Sequence, residues 1–182
     1  MYFKFNVNLT DKDYLDYNTF WLLKSPYGKK QIISYRIIIA VLFGIVCLAS
    51  LFGGGFSADA FVRIIPYVII LILIQIFLNT FFSWTLKGQL NSLKKKGKMG
   101  FSPVCEMEFY EEGFIEITPD NTTRQKYSAV ERVSIITDKI IYIHVNNVMS
   151  YLLPLSCFNS KQQYDDFLAF LKTKCGNIDI YS

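Results

Sequence analysis

One histidine, His144, stands in this chain of 182 residues, so any imidazole chemistry rests on it alone. Nucleophilic catalysis needs a hydroxyl or thiol beside the imidazole and a third group that orients it. No motif supplies that set. His144 falls in the apolar stretch Ile140–Val145, on the side shared by Ile140 and Tyr142, and reads as a solvated or hydrogen-bonded strand histidine. Glu106, Glu108 and Glu116 are the carboxylates whose proximity would suit an acid and base pair. Their alternation with apolar residues instead marks the wet face of a half-buried sheet. Gly53-Gly54-Gly55 precedes no soluble helix, so it is not a phosphate loop. Cys47, Cys105, Cys157 and Cys175 show no CxxC spacing and no histidine partner. They read as buried free thiols in a reducing compartment, not as a zinc site or a disulfide framework. The expectation is a non-enzymatic chain with no cofactor and no metal.

The charges divide the chain. Residues 1–100 hold 12 Lys/Arg against 4 Asp/Glu, and residues 101–182 hold 7 against 11. The basic charge brackets apolar runs and forms no soluble face, which excludes nucleic acid as a partner. Apolar residues make up 52% and charged residues 19%. That balance is unlike a disordered chain and unlike an ordinary soluble globule.

Two uncharged runs explain it. Residues 37–58 and 64–86 each exceed the roughly 20 residues a helix needs to cross a bilayer. With 59–63 as a short external connector they form an antiparallel transmembrane hairpin. The first run begins too late, and runs too long, for a cleaved signal peptide. Lysines and arginines crowd the outer ends of the pair, and the positive-inside rule places both termini in the cytoplasm of a multi-pass membrane protein. The residues expected at the membrane interface are Arg36, Trp84, Lys87, Lys94, Lys95, Lys96 and Lys98, with 87–100 a basic juxtamembrane segment. Within the spans, Ala40 and Gly44 form a small-xxx-small pair, and Gln75, Asn79 and Ser83 recur every four residues. These two faces are expected to pack together.

Beyond the lysines the period becomes two. Val104–Tyr110, Phe114–Thr118, Arg124–Ser128, Arg132–Thr137, Ile140–Val145 and Val148–Leu153 read as six strands, with Gly113 free to take a positive φ in the first turn. Ser160 with Gln163 caps a helix whose Tyr164, Phe167, Leu168 and Leu171 make one apolar stripe. At the other end of the chain, Phe3, Phe5, Val7 and Leu9 alternate with polar residues, and Thr10 with Asp13 opens a short helix. A lone strand is not stable. Residues 1–36 therefore supply a strand to the sheet of the cytoplasmic domain 101–182.

The segment LTDKDYLDYNTFWLLKSPYGKKQ (9–31), the two spans, the lysines, YSAVERV (127–133) and LLPLSCF (152–158) together resemble the YcxB-like family of bacterial membrane proteins. Tyr127 stands where the family pattern has Trp, and Leu155 where it has a basic residue. The resemblance implies a bacterial cell membrane location and a pleckstrin-homology-like (PH-like) domain of unassigned function. The expected fold class is an α+β membrane protein, with a two-helix transmembrane hairpin and a PH-like β-barrel or bent antiparallel sheet capped by a C-terminal helix. The expected function is a membrane-anchored binding module. Its ligand is unknown, and its partner is a protein segment or a second copy. The first hairpin turn, Glu111-Glu112-Gly113, would repel a phosphate headgroup. The alternative is a small subunit of an oligomeric or transporter assembly working through the Gln75, Asn79 and Ser83 face.

Overall fold

Alternation in Phe3–Asn8 (β1) buries Phe5 and Val7 and leaves Lys4 and Asn6 in solvent. The computed structural model describes residues 1–54, 58–97, 102–146 and 149–181. Two compact units emerge, one of residues 1–17 with 99–182 and one of residues 18–98.

In the first unit, β1 lies antiparallel to Val104–Phe109 (β2), with Phe5 opposite Met107 and Val7 opposite Cys105. Gly113–Ile117 (β3) and Thr122–Lys126 (β4) complete a four-stranded sheet in the order β1-β2-β3-β4. A single 3-10 turn, Tyr127–Ala129, leads to a second sheet of Arg132–Ile136 (β5), Ile140–His144 (β6) and Ser150–Pro154 (β7). The helix Lys161–Lys174, named α4 after its three predecessors, buries Phe167 and Leu171. Ser160 Oγ accepts the Gln163 N–H at 3.1 Å at its start. The chain then adds Ile178–Tyr181 (β8), parallel to β5, giving the order β7-β6-β5-β8.

The class is α+β, and the two sheets do not close into one barrel. The reason is in the strand order: β8 occupies the edge of β5 that β4 would need. Phe5, Met107, Phe109 and Phe114 of one sheet, Val133, Ile141, Ile143 and Leu153 of the other, and Phe167 of α4 form the core. Phe167 sits at its centre, 4.9 Å from the Phe5 ring and 4.8 Å from Phe109.

Two sequence readings are refined in this unit. Gly113 does not use its freedom to take a positive φ; among the described residues of this unit the left-handed one is Asp138, at φ 56 in the β5–β6 turn. Gly113 is required by proximity, since a Cβ there would sit 2.1 Å from the Gln125 carbonyl oxygen across the β3–β4 ladder. Gly113→Ala should therefore part that ladder and destabilise the unit by about 1–3 kcal/mol, as overpacking does. Thermal unfolding of the full chain checks it, and an unchanged midpoint would contradict the assignment. The second is Glu116. It does not share the outer face of Glu106 and Glu108, because it stands opposite Met107 and Thr123 on the side that Phe114 buries.

The second unit contains the end of Asp11–Leu23 (α1), then Pro26–Gly54 (α2) and Ala58–Lys95 (α3). Thr10 and Asp13 cap α1 reciprocally, with the Thr10 N–H donating to Asp13 Oδ2 at 2.8 Å and the Asp13 N–H donating to Thr10 Oγ1 at 3.2 Å. Ser25 caps α2, accepting the Gly28 N–H at 3.0 Å, and Pro26 follows at the first helical position, where a missing N–H costs nothing. Both helices overrun their apolar runs. Residues 59–63, expected as a connector, form opening turns of α3, and α3 continues past Lys87 to Lys95. Helical hydrogen bonding does not stop where hydropathy changes sign, so the charge pattern marked the apolar core of each helix and not its ends. α2 and α3 are long and apolar enough to cross a membrane.

Candidate functional site

Period two places Ser134 of β5, His144 of β6 and Ser150 of β7 side by side on the face of the second sheet turned away from the core. His144 Nδ1 lies 2.7 Å from Ser150 Oγ and Nε2 lies 3.1 Å from Ser134 Oγ. The Tyr17 hydroxyl of α1 donates to Ser150 Oγ at 2.8 Å, and its ring packs on Tyr142 at 5.2 Å. The Nε2–H tautomer satisfies the chain. Tyr17 donates to Ser150, Ser150 donates to Nδ1, and Nε2–H donates to Ser134. Burial pushes the imidazole down to about 4, helped by the Arg132 charge and opposed by Asp179. It is therefore neutral near pH 7. Ser134 and His144 are buried, so the hydroxyl and imidazole are closed off and act to pin α1 to the sheet. Neither serine nor Tyr17 carries a sequence signal of its own. The register that joins them exists only once β5, β6 and β7 are paired.

On the first sheet, Glu106 and Glu108 face outward and share Lys4, at 2.6 and 3.2 Å. The carboxylates are thus spent on a cross-strand ion pair. Glu116, turned inward, has its carboxyl raised by burial, and the neighbouring Cys105 thiol is pushed up to about 12. Cys157 rises to about 12 and Cys175 to about 11, again through burial, and all four cysteines are free. Such thiols are poor nucleophiles at neutral pH. Among the described residues no group of His, Cys, Asp and Glu is arranged to hold a metal ion.

At the β2–β3 turn a cleft of about 650 Å³ opens between the Met1–Tyr2 end of the chain and β4. The Glu111 carboxylate accepts from the Tyr2 hydroxyl and the Lys174 ammonium, and these bonds hold it below the usual carboxylate range. Glu112 lies on the same rim, and Arg124 and Lys126 of β4 line the other side. The cleft therefore presents charges of both signs, where the turn sequence alone suggested only repulsion of anions.

In the helix pair the Gln75 amide donates to the Arg36 carbonyl at 3.1 Å, and Arg36 Nη2 donates to Asn79 Oδ1 at 3.4 Å. Ser83 Oγ turns back to its own helix, donating to the Asn79 carbonyl at 3.0 Å. The amides thus engage α2, but not at the face expected. Ala40 and Gly44 are exposed, and a Cβ on Gly44 would meet nothing within 4 Å. The α2 side chains withdrawn from solvent include Ile32, Arg36, Ile39, Phe43, Cys47, Ser50 and Leu51, a helical stripe that passes beside Ala40 and Gly44 without including them. Trp84 is 72% exposed, and Lys87, Lys94, Lys95 and Lys96 are exposed; Lys98 lies outside the described residues, as does Gly55 of the glycine run.

Tyr127, in the aromatic position of the first family motif, is buried in the turn between the sheets and donates its hydroxyl to the Tyr110 carbonyl at 3.0 Å. Pro154 of the second motif ends β7, and Leu155–Cys157 forms another 3-10 turn. Residues 109–171 match the family model described as YcxB-like protein. That stretch carries both motifs and runs from the last residue of β2 to Leu171 of α4. The match is to the family the sequence resembles and covers about a third of the chain, while β1, α1, α2, α3 and β8 fall outside it. No curated protein and no solved structure matches the chain. In the YcxB-like stretch the two motifs serve the corners of the fold, since each coincides with a 3-10 turn at a sheet edge.

Proposed function

We propose that this chain is a membrane-anchored binding module without catalytic activity: α2 and α3 cross a bacterial cell membrane, and the first unit is a cytoplasmic PH-like domain that receives a protein segment in the cleft beside β4. The anchor rests on exposed apolar surface. Leu42, Ile45, Phe52 and Ile76 are 57–74% exposed, and an apolar helix pair this open suits lipid and not water. Two four-stranded sheets over a core sealed by α4 are in keeping with a PH-like arrangement.

The observation that carries the binding reading is the cleft itself. It adjoins β4, whose second edge pairs with no described strand. A free edge offers main-chain hydrogen bonds to an added extended segment, and flanking side chains select it. Arg124 and Lys126 with Glu112 call for a segment carrying both charge signs. Ser134 and His144 are buried and the Cys105, Cys157 and Cys175 thiols are raised, so none of these groups suits a nucleophile.

A photo-crosslinking residue at Arg124, in intact cells with reporter fusions at residue 1 and at Gly54, tests the reading. The expected result is a discrete protein adduct, with residue 1 reporting the cytoplasm and Gly54 the outside. No adduct at Arg124, or the same adduct from a crosslinker at Thr137 in the β5–β6 turn, would exclude the cleft. A cytoplasmic Gly54 would exclude the hairpin.

A further inference from the structure

The helix pair holds a cation it does not neutralise. Residues 18–98 contain ten Lys/Arg and one acidic residue, Asp59. Asp59 is in the first turn of α3, 20 residues from Asn79 and so about 30 Å away along the helix. At Arg36, among the described residues, Nη2 has only the 3.4 Å contact to the Asn79 amide, and Nε–H is buried with no acceptor. The seam offers this guanidinium dipoles but no counter-charge.

The register of the pair fixes its depth. Arg36 is level with Gln75–Asn79, Lys30 is six residues before Arg36, and Lys87 is eight residues after Asn79. At 1.5 Å per residue, Arg36 lies about 9–12 Å inside the ring of lysines. Exposed Tyr27 and Trp84 stand near that ring, where aromatic residues belong at a membrane surface. The sequence reading put Arg36 at the edge of the first span, because hydropathy alone starts that span at residue 37. Pairing with α3 moves Arg36 inside it. An ionisable side chain at that depth is costly unless paired.

Resting on the membrane reading above, we infer that Arg36 and Asn79 form a binding site for the phosphate of an anionic phospholipid from the cytoplasmic leaflet. A guanidinium gives phosphate two parallel N–H bonds, a geometry that lysine lacks. The arginine stem extends toward the surface and the headgroup settles inward to meet it. A second copy of the hairpin cannot supply the anion, since its one carboxylate is also Asp59. A lipid with a compensating ammonium leaves the site's charge uncancelled, so phosphatidylglycerol is preferred over phosphatidylcholine.

Native mass spectrometry of the full chain in detergent, with each lipid added, reads the site directly. The wild-type chain should retain one phosphatidylglycerol with roughly tenfold preference, the least expected of a charge-assisted pair. Arg36→Gln should lose the preference and Arg36→Lys should keep part of it. The triple variant Lys94→Gln, Lys95→Gln, Lys96→Gln should keep it in full. Hydrogen exchange along α2 and α3 verifies that each variant is folded. Loss in the lysine triple with retention in Arg36→Gln would overturn the site, as would occupancy by inorganic phosphate alone that excludes the lipid. Carbonate extraction separates the two readings. A chain released from membranes sinks the span itself, whereas an integral chain with equal affinity for both lipids sinks only this site.

Discussion

Replacing Phe5 by Ala is expected to loosen both sheets of the first unit at once. The Phe5 ring lies 4.8 Å from Phe158, 4.9 Å from Phe167 and 5.8 Å from Phe109, so one N-terminal side chain touches β2, α4 and the turn after β7. Truncating a packed Phe costs about 3–5 kcal/mol, set against a total stability of about 5–15 kcal/mol for a domain of this kind. For a unit of this size the melting midpoint should fall on the order of 15 °C. Hydrogen exchange on the detergent-solubilised chain gives the sharper readout. Amides of Phe3–Asn8 are paired with β2 and should be protected in the wild type. In Phe5→Ala that protection should fall together with that of β2, β3 and α4. If residues 3–8 exchange freely in the wild type while the C-terminal strands stay protected, β1 is no part of the core. For the same reason residues 101–182 expressed alone lack the strand that covers β2 and should not fold cooperatively.

The strand β1 was legible because four apolar residues alternated cleanly, and α4 because its cap and its stripe agreed. β8 was not. Four residues, Ile178–Tyr181, carry too short an alternation to stand out, and a parallel edge strand depends on the crossover through α4 that precedes it. The inward turn of Glu116 was readable in principle, since Phe114 two residues earlier had already claimed the core side. Arg36 shows the opposite case. Hydropathy treats each helix by itself, and only the hydrogen bonds from Gln75 and to Asn79 reveal how far α2 slides along α3. The exposed Gly44 makes the same point, because a small-xxx-small spacing states which residues could touch and not which side of the helix meets its neighbour.

Acidification from pH 7 to pH 4 should weaken the first unit through His144, and by an amount that a single substitution isolates. The folded imidazole sits at about 4, below the ordinary 6.5, mainly because it is buried. The unfolded chain therefore binds the proton first, so stability is fully present above about pH 6.5 and is lost as pH falls through 4. A fall from 6.5 to about 4 corresponds to about 3 kcal/mol. The hydrogen-bond chain shows how the loss arises. A proton on Nδ1 makes it a donor to Ser150 Oγ, which already accepts from Tyr17, and the half-buried Ser150 hydroxyl must then find another acceptor. The link between α1 and the sheet is thus the first to yield. Stability measured against pH for the wild type and for His144→Gln should show the wild type losing about 3 kcal/mol more between pH 6.5 and 4. Carboxylates such as Glu108 and Glu111 titrate alike in both chains and cancel in the difference. Parallel curves would mean that the folded imidazole takes its proton as readily as the unfolded one, and the buried, depressed His144 would have to be abandoned.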